Sequence, residues 1–415
     1  MAEDIIAANR DPGRLRRATI ASIETDADKV DVTLDGEIPA TFMSIAGYDR
    51  LLTSASAMAE RAVMGNVEVA LILDNTWSMS GKGASGVTKI DTLKTAARKL
   101  VNELLQTQDG AVRMGLVPYA DYVNVGTKYR NASWLDVPAD VKAVTSTCTR
   151  KTVTRENQCI RNAPSYPCTK YSDGIPKAST CSGDCLERGT VTREENVCEG
   201  GVTGKTWYGC VGSRMTGDNR LHDKNASIRY PGYLDTSQKC LNPLVTLTSD
   251  KAALLSAING MIINIGGYEP NTYIPAGLTW GLNVLNPGEP FADAGAYDPA
   301  NAKPRKVAVL MTDGENTLRF NSSDGKHASL SNDEKTKSGQ LKATNADTLA
   351  ICTYMKQQGI EIFSVAFMVE NATAKNMLEG CATDAQHYYD ASDNESLLAA
   401  FAGIGQSLRV VRLAR

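Results

Sequence analysis

Residues 67–81 read VEVALILDNTWSMSG, Val67 to Gly81. The first eight are almost continuously apolar and lack the alternation of a strand with one wet face. Such a run suits a strand buried on both faces of a parallel sheet. It ends in an aspartate, Asp74, and the next residues carry hydroxyls at alternate positions, Thr76 and Ser78.

Three further runs have the same character: Val112–Tyr119 (VRMGLVPY), Lys306–Asp313 (KVAVLMTD) and Ile360–Val369 (IEIFSVAFMV). Helical patterns separate them. Ile90, Leu93, Ala97, Leu100 and Leu104 fall on one helical face, and Thr88 with Asp91 three residues on is a start signal. Ala252–Ile258 and Pro275–Leu285 are shorter candidates, and Ala346–Gln358 precedes Gly359, a C-terminal cap. Leu397, Phe401, Ile404 and Leu408 share a late face, with Ser392 and Glu395 spaced as a capping box. Alternating strands and helices predict an α/β fold with a doubly wound, mostly parallel sheet.

Two regions break that alternation. Residues 1–65 hold a short helical start, then Lys29–Phe42, where Val30, Val32 and Leu34 alternate with polar residues, continued by Ser54–Arg61. This predicts a small α+β segment with an antiparallel strand. Arg10, Arg14, Arg16 and Arg17 form a basic cluster read as a solvated face. Residues 130–240 are polar and rich in Gly and Cys, and follow Tyr122–Gly126, read as a short edge strand. The expected organisation is therefore 1–65, then a discontinuous domain of 66–129 and 241–415, interrupted by an insert at 130–240.

The chain has 415 residues, with 44 Lys and Arg against 47 Asp and Glu, a net charge of −3. That balance argues against a nucleic-acid partner, which calls for a basic stripe. No apolar run is long enough to span a bilayer, and the N-terminus lacks the features of an export signal. Yet there are ten cysteines: Cys148, Cys159, Cys168, Cys181, Cys185, Cys198, Cys210, Cys240, Cys352 and Cys381. An even, clustered set predicts disulfides and an oxidising compartment. Zinc is disfavoured, because Cys181 and Cys185 are the only close pair and no Cys-x-x-Cys occurs. Within the insert, Thr152-Val-Thr-Arg-Glu156 recurs as Thr190-Val-Thr-Arg-Glu194, each before Asn and then Cys. The expectation is two hairpins, closed by Cys148–Cys159 and Cys185–Cys198, with the pairing of Cys168, Cys181, Cys210 and Cys240 open. Cys352 and Cys381 are expected to bond to each other.

Open α/β sheets bind ligands beyond the C-terminal ends of their strands. There the sequence gathers Asp74, Thr76 and Ser78, then Asn271-Thr272-Tyr273 before a helix, then Thr312-Asp313-Gly314-Glu315. Hard oxygen donors without His or Cys select Mg²⁺, with Mn²⁺ or Ca²⁺ as alternatives. A strand-like loop is expected to aim Thr76 and Ser78 the same way. No nucleophile with a matched base is legible, so an enzyme is not expected.

These residues resemble the metal-ion-dependent adhesion site of von Willebrand factor A domains, whose pattern is Asp-x-Ser-x-Ser, a distant Thr and a distant Asp. The resemblance implies that Thr76 and Ser78 touch the metal, that Thr272 contacts it directly or through water, and that Asp74 and Asp313 hold its water shell. A partner's Glu or Asp then completes the octahedron. Thr76 stands where Ser is usual, and Trp77 where Gly is common. Trp77, Tyr273 and Glu315 are the expected partner contacts.

The stretches ALILDNTWSMSG, NTYIPAGLTWGLNVL, VLMTDGENT and VDVTLDGEIPATFMSIAGYDRLLTSASAMAE, with the late Cys352, Cys381 and His387-Tyr-Tyr389, are similar to TadG-like proteins of tight-adherence (Tad/Flp) pilus-assembly systems. That similarity covers most of 20–130 and 241–415. It implies a metal-dependent protein-binding component of pilus assembly, with pilus or envelope proteins as partners. A secreted or surface adhesin for host or matrix ligands is the alternative. It further implies a cell-envelope location, periplasmic or surface-exposed, with membrane anchoring through an upstream segment absent here. In the fold so implied, the strand at 122–126 is the antiparallel edge, ending opposite the metal. The insert is then expected to leave from the far face and not to roof Thr76.

Overall fold

The computed structural model describes residues 17–25, 29–39, 50–60, 67–106, 111–225 and 227–409. They divide between two compact units, one of 66–405 and one of 1–65 with 406–415. The described part of the smaller unit includes a three-stranded antiparallel meander of β1 (Arg17–Thr25), β2 (Lys29–Pro39) and β3 (Arg50–Glu60). The first strand escapes sequence reading because a bulge between Ile20 and Ser22 breaks its two-residue period. The expected helical start and Arg10, Arg14 and Arg16 lie outside the described residues.

In the larger unit the strands begin with β4 (Val67–Asp74), β5 (Val112–Tyr119), β6 (Val123–Asn124) and β7 (Leu135–Asp136). The cysteine-rich region supplies β8 (Thr147–Asn162), β9 (Tyr166–Ser172), β10 (Ile175–Cys181), β11 (Cys185–Glu199), β12 (Thr206–Val211) and β13 (Tyr230–Asp235). Then follow β14 (Val245–Thr248), β15 (Arg305–Thr312), β16 (Leu318–Phe320), β17 (His327–Ser329), β18 (Ile360–Phe367) and β19 (Tyr388–Ala391). Six described helices are α1 (Lys89–Leu104), α2 (Lys251–Asn259), α3 (Ile274–Leu285), α4 (Glu334–Gln357), α5 (Ala372–Cys381) and α6 (Asn394–Arg409).

The chain is α/β. Its main sheet has six strands in the order β14-β5-β4-β15-β18-β19. All neighbours are parallel except β14, which runs antiparallel to β5. Both faces of the central strands are buried. Ala70, Ile72, Ala308 and Leu310 join one apolar cluster with residues of α3, α4 and α5. Their alternates Val69, Leu71, Leu73, Val307, Val309 and Met311 are as fully buried and, by strand geometry, face the other way. This is why the four long runs carry no alternation.

The helices start and stop as their sequences dictate, with one shift. Thr88 accepts a hydrogen bond from Asp91 N, and Gly359 follows α4 at φ 76°, a left-handed cap. The late helix is capped by Asp393 rather than Ser392: Asp393 accepts from Ser396 N at 2.8 Å and donates its own N–H to Ser396 Oγ at 2.9 Å. The reciprocal box forms one residue later than its spacing suggested.

Two topological expectations are corrected. The strand at 123–124 belongs to a separate four-stranded sheet, β6-β12-β13-β7, and the antiparallel edge of the main sheet is β14, after the insert. Because β5 is parallel to β4, its C-terminal end lies at the rim where Asp74 lies, with Tyr119 opposite Asp74. The insert therefore leaves from that rim, and β14 starts again near it, opposite Leu116.

The disulfides correct a third expectation. Cys148 bonds Cys198, and Cys159 bonds Cys185. The two repeats are opposite strands of one ribbon, β8 with β11, not two hairpins. Antiparallel pairing makes the repeat self-complementary: Thr154 faces Thr192, and Arg150–Glu194 and Arg155–Glu195 form ion pairs across or beside it. The remaining bonds are Cys168–Cys181, Cys210–Cys240 and the expected Cys352–Cys381. Among the described residues no helix is long and apolar enough to cross a membrane.

Candidate metal centre

Strand register assembles the site. Leu73 of β4 is level with Met311 of β15, so Asp74, Thr312 and Asp313 emerge side by side at one rim. Asp74 is fully buried, and its two oxygens are both engaged. Oδ1 accepts from Thr76 N at 2.9 Å, and Oδ2 accepts from Thr312 Oγ1 at 2.7 Å. The following loop is not strand-like as expected. Thr76 caps a 3₁₀ turn at Trp77–Ser80. That turn still brings the hydroxyls together, with Thr76 Oγ1 2.8 Å from Ser78 Oγ. Ser78 Oγ donates to Asp313 Oδ1 at 2.6 Å.

Thr272 arrives from the other side. Its loop is anchored by Asp121, whose carboxylate accepts from Asn271 N and Tyr268 Oη, and by Asn316, which accepts from Ile274 N at 2.8 Å. Burial pushes Asp121 up to about 6, against those donations. Thr317 pairs with the loop reciprocally: Thr272 N donates to Thr317 Oγ1 at 2.8 Å, and Thr317 N to Thr272 O at 2.9 Å.

A residue not anticipated at this rim completes it. Asp173 lies in the two-residue turn between β9 and β10 and is 7% exposed. Its Oδ2 accepts from Ser78 N at 3.0 Å, and its Oδ1 from Thr272 Oγ1 at 3.0 Å and Thr317 Oγ1 at 3.2 Å. The insert thus covers the Thr76–Ser78 loop, contrary to expectation. The turn is Asp-Gly with φ 45° and 76°, both in the left-handed region that two-residue hairpins require. That dipeptide was a legible hairpin signal. Where the hairpin lands was not.

The electrostatics are those of a site short of positive charge. Asp74, Asp173 and Asp313 are all buried, and Lys89 supplies one ammonium, 2.8 Å from Asp313 Oδ2. Burial, then the charges of Asp313 and Asp173, push Asp74 up to about 7. Burial also raises Asp313, opposed by Lys89 and Ser78. Buried carboxylates without compensating charge are costly. A small divalent cation would relieve that repulsion, and the clustered hydroxyl and carboxylate oxygens are the donors such an ion prefers. Among the described residues no three His, Cys, Asp or Glu side chains are grouped to share an ion. The hydroxyls of Thr76, Ser78 and Thr272 are therefore essential to any such donor set.

The expected partner contacts fare differently. Trp77 is half-buried, and its backbone N–H donates to Pro270 O at 3.1 Å. Glu315 is half-exposed, accepts from Asn371 Nδ2 at 3.0 Å, and burial raises its pKa. Tyr273 is 1% exposed and stacks on His327 at 3.9 Å between centroids. It is a core residue and offers no surface to a partner, because the helix start turns its ring inward.

Comparison with protein families and with curated proteins finds no match. Solved structures similar to this chain include the vWF domain of the type V pili tip protein Mfa5 from Porphyromonas gingivalis, at 12% identity over 85% of this chain and 99% of that one, TM-score 0.42. The PilB minor pilin from Streptococcus sanguinis is similar at 10% identity over 95% and 77%, TM-score 0.42. The pilus adhesin SpaC from Lactobacillus rhamnosus GG is similar at 11% identity, TM-score 0.40, over 94% of this chain and 34% of that one, so this chain spans about a third of that adhesin's length.

Proposed function

We propose that this chain is a metal-ion-dependent protein-binding component of tight-adherence pilus assembly in the cell envelope. In this reading the larger unit is a doubly wound von Willebrand factor A domain at 66–129 and 241–415. Its strand order, with one antiparallel edge, supports that architecture. The observation that carries the functional reading is the convergence of Asp74, Thr76, Ser78, Thr272 and Asp313 on one rim, with too little positive charge for the buried carboxylates there.

Thr76, Ser78 and Thr272 would hold the ion through hydroxyls, and Asp74 and Asp313 through its water shell. A bound Mg²⁺, or Mn²⁺ or Ca²⁺, would supply a Lewis-acidic position for an acidic side chain of a protein partner. The chain's own residues do the positioning. Thr312 fixes one oxygen of Asp74, and the backbone N–H of Thr76 fixes the other. Asp121 and Asn316 hold the Thr272 loop at its distance. Trp77 and Glu315 flank the rim where a partner would dock.

The reading assigns no catalysis. A Ser–His pair exists, with Ser213 Oγ 2.8 Å from His327 Nε2. However, Nδ1 of His327 meets the backbone carbonyl of Asp121, not a carboxylate, and the ring stacks with Tyr122 and Tyr273. Burial drives its pKa down to about 4, so it is a neutral packing group. Five bonded cysteine pairs support an oxidising location.

The test is capture of partners from envelope extract by the full chain, in Mg²⁺ and in EDTA, with Asp313→Ala alongside. The expected result is pilus components retained in Mg²⁺ and lost both in EDTA and in the variant. Equal capture in all three would contradict the reading.

A further inference from the structure

We propose that Asp173 is the chain's own stand-in for a partner's carboxylate, so that the insert closes the metal rim in cis and competes with an acidic partner. The inference rests on the metal-dependent reading above and concerns who supplies the last carboxylate.

Asp173 is placed as such a group must be. It is the tip residue of a hairpin, it is buried, and both oxygens are engaged by the Ser78, Thr272 and Thr317 groups that line the rim. A carboxylate from another molecule would need the same place. The hairpin is stiffened for this role. Cys168–Cys181 staples its strands, and Cys159–Cys185 closes the ribbon beneath it. By contrast, its lateral mooring rests on one acidic residue. Glu269 meets Lys177 at 3.1 Å, with the lysine side chain 66% exposed, and takes a hydrogen bond from Ser172. Exposed ion pairs contribute little to stability.

The geometry therefore describes a rigid hairpin seated by one buried carboxylate and lightly held at its flank. Such a lid can exchange with a competing acidic side chain without unfolding the domain. The long β8–β11 ribbon is mostly exposed along both strands, so its far end is free of a covering layer that would prevent release.

The experiment counts water on a bound probe ion. Water-proton relaxation is measured with Mn²⁺ bound to the full chain, for wild type, Asp173→Ala, Lys177→Glu and Asp313→Ala. Wild type is expected to bind Mn²⁺ with low relaxivity that acetate does not change. Asp173→Ala is expected to gain one inner-sphere water, read as higher relaxivity, and acetate should lower it again. Lys177→Glu sets like charges against Glu269 without touching the rim and, that exposed pair being weak, should match wild type. If Asp173→Ala also matches wild type while Asp313→Ala loses Mn²⁺, the internal-carboxylate proposal is overturned and the metal reading stands. If folded wild type binds no Mn²⁺, the metal reading fails and this proposal with it.

Discussion

Lys89 and Asp313 show how finely one side chain balances this rim. The ammonium is the positive charge that Asp313 meets in the absence of an ion, at 2.8 Å. Lys89→Met is expected to lower stability in EDTA, by about 1–3 kcal/mol, since it leaves a buried carboxylate oxygen without its donor. The same variant should bind Mg²⁺ more tightly than wild type, because a competing cation is gone. Thermal unfolding with and without Mg²⁺ checks both signs. His327 gives a separate pH signature. Its pKa falls from 6.5 to about 4 on folding, so the unfolded chain binds the extra proton between those values. The stability it contributes is present above pH 6.5 and lost as pH falls toward 4, a decrease of about 2 kcal/mol at pH 5. His327→Phe should lose less on going from pH 7.5 to 5, as read by denaturant unfolding.

At this scale the convergence of Asp74, Thr76, Ser78, Thr272 and Asp313 on one rim is legible in the sequence, because each sits at the end of a strongly patterned element. Lys89, Asp173 and Thr317 are not, since each reaches the rim through tertiary packing from an unremarkable local pattern. That Tyr273 lies in the core rather than at the surface escapes sequence reading for the related reason that a rim position does not reveal which way a ring turns.

Among the elements, α3 is the one that sets the Thr272 loop, and it lies close to the sheet because two glycines allow it. A Cβ at Gly281 would collide with Ile72 Cδ1, and one at Gly277 would stand 2.7 Å from the Tyr119 ring. Gly281→Ala is expected to cost about 1–3 kcal/mol by overpacking. It should also weaken Mg²⁺ binding, because the displaced helix carries Thr272 with it. Calorimetric melting and an ion titration test the two effects separately. The four buried strands were legible from their continuous apolar runs. The edge strand Val245–Thr248 was not, because four residues carry too little pattern, and the more regular Tyr122–Gly126 drew the assignment instead.

For the molecule as a whole, the ten cysteines settle the route of the insert. Sequence repeats invite local pairing, but self-complementary repeats pair with each other across an antiparallel ribbon. A non-reducing peptide map is expected to link Cys148 to Cys198, Cys159 to Cys185 and Cys168 to Cys181. A Cys148–Cys159 peptide would overturn the ribbon. The parallel direction of β5 has the larger consequence. It delivers the insert to the rim that carries Asp74, so the region least legible in the sequence lies against the residues most legible in it.

In the proposed reading this rim holds a divalent ion through Thr76, Ser78 and Thr272, supported by Asp74 and Asp313. Calorimetric titration of Mg²⁺ into the EDTA-treated full chain measures that binding outright. One saturable site in wild type, absent in a folded Asp313→Ala variant, is the result predicted. No heat in wild type, or the same binding in both proteins, would contradict it.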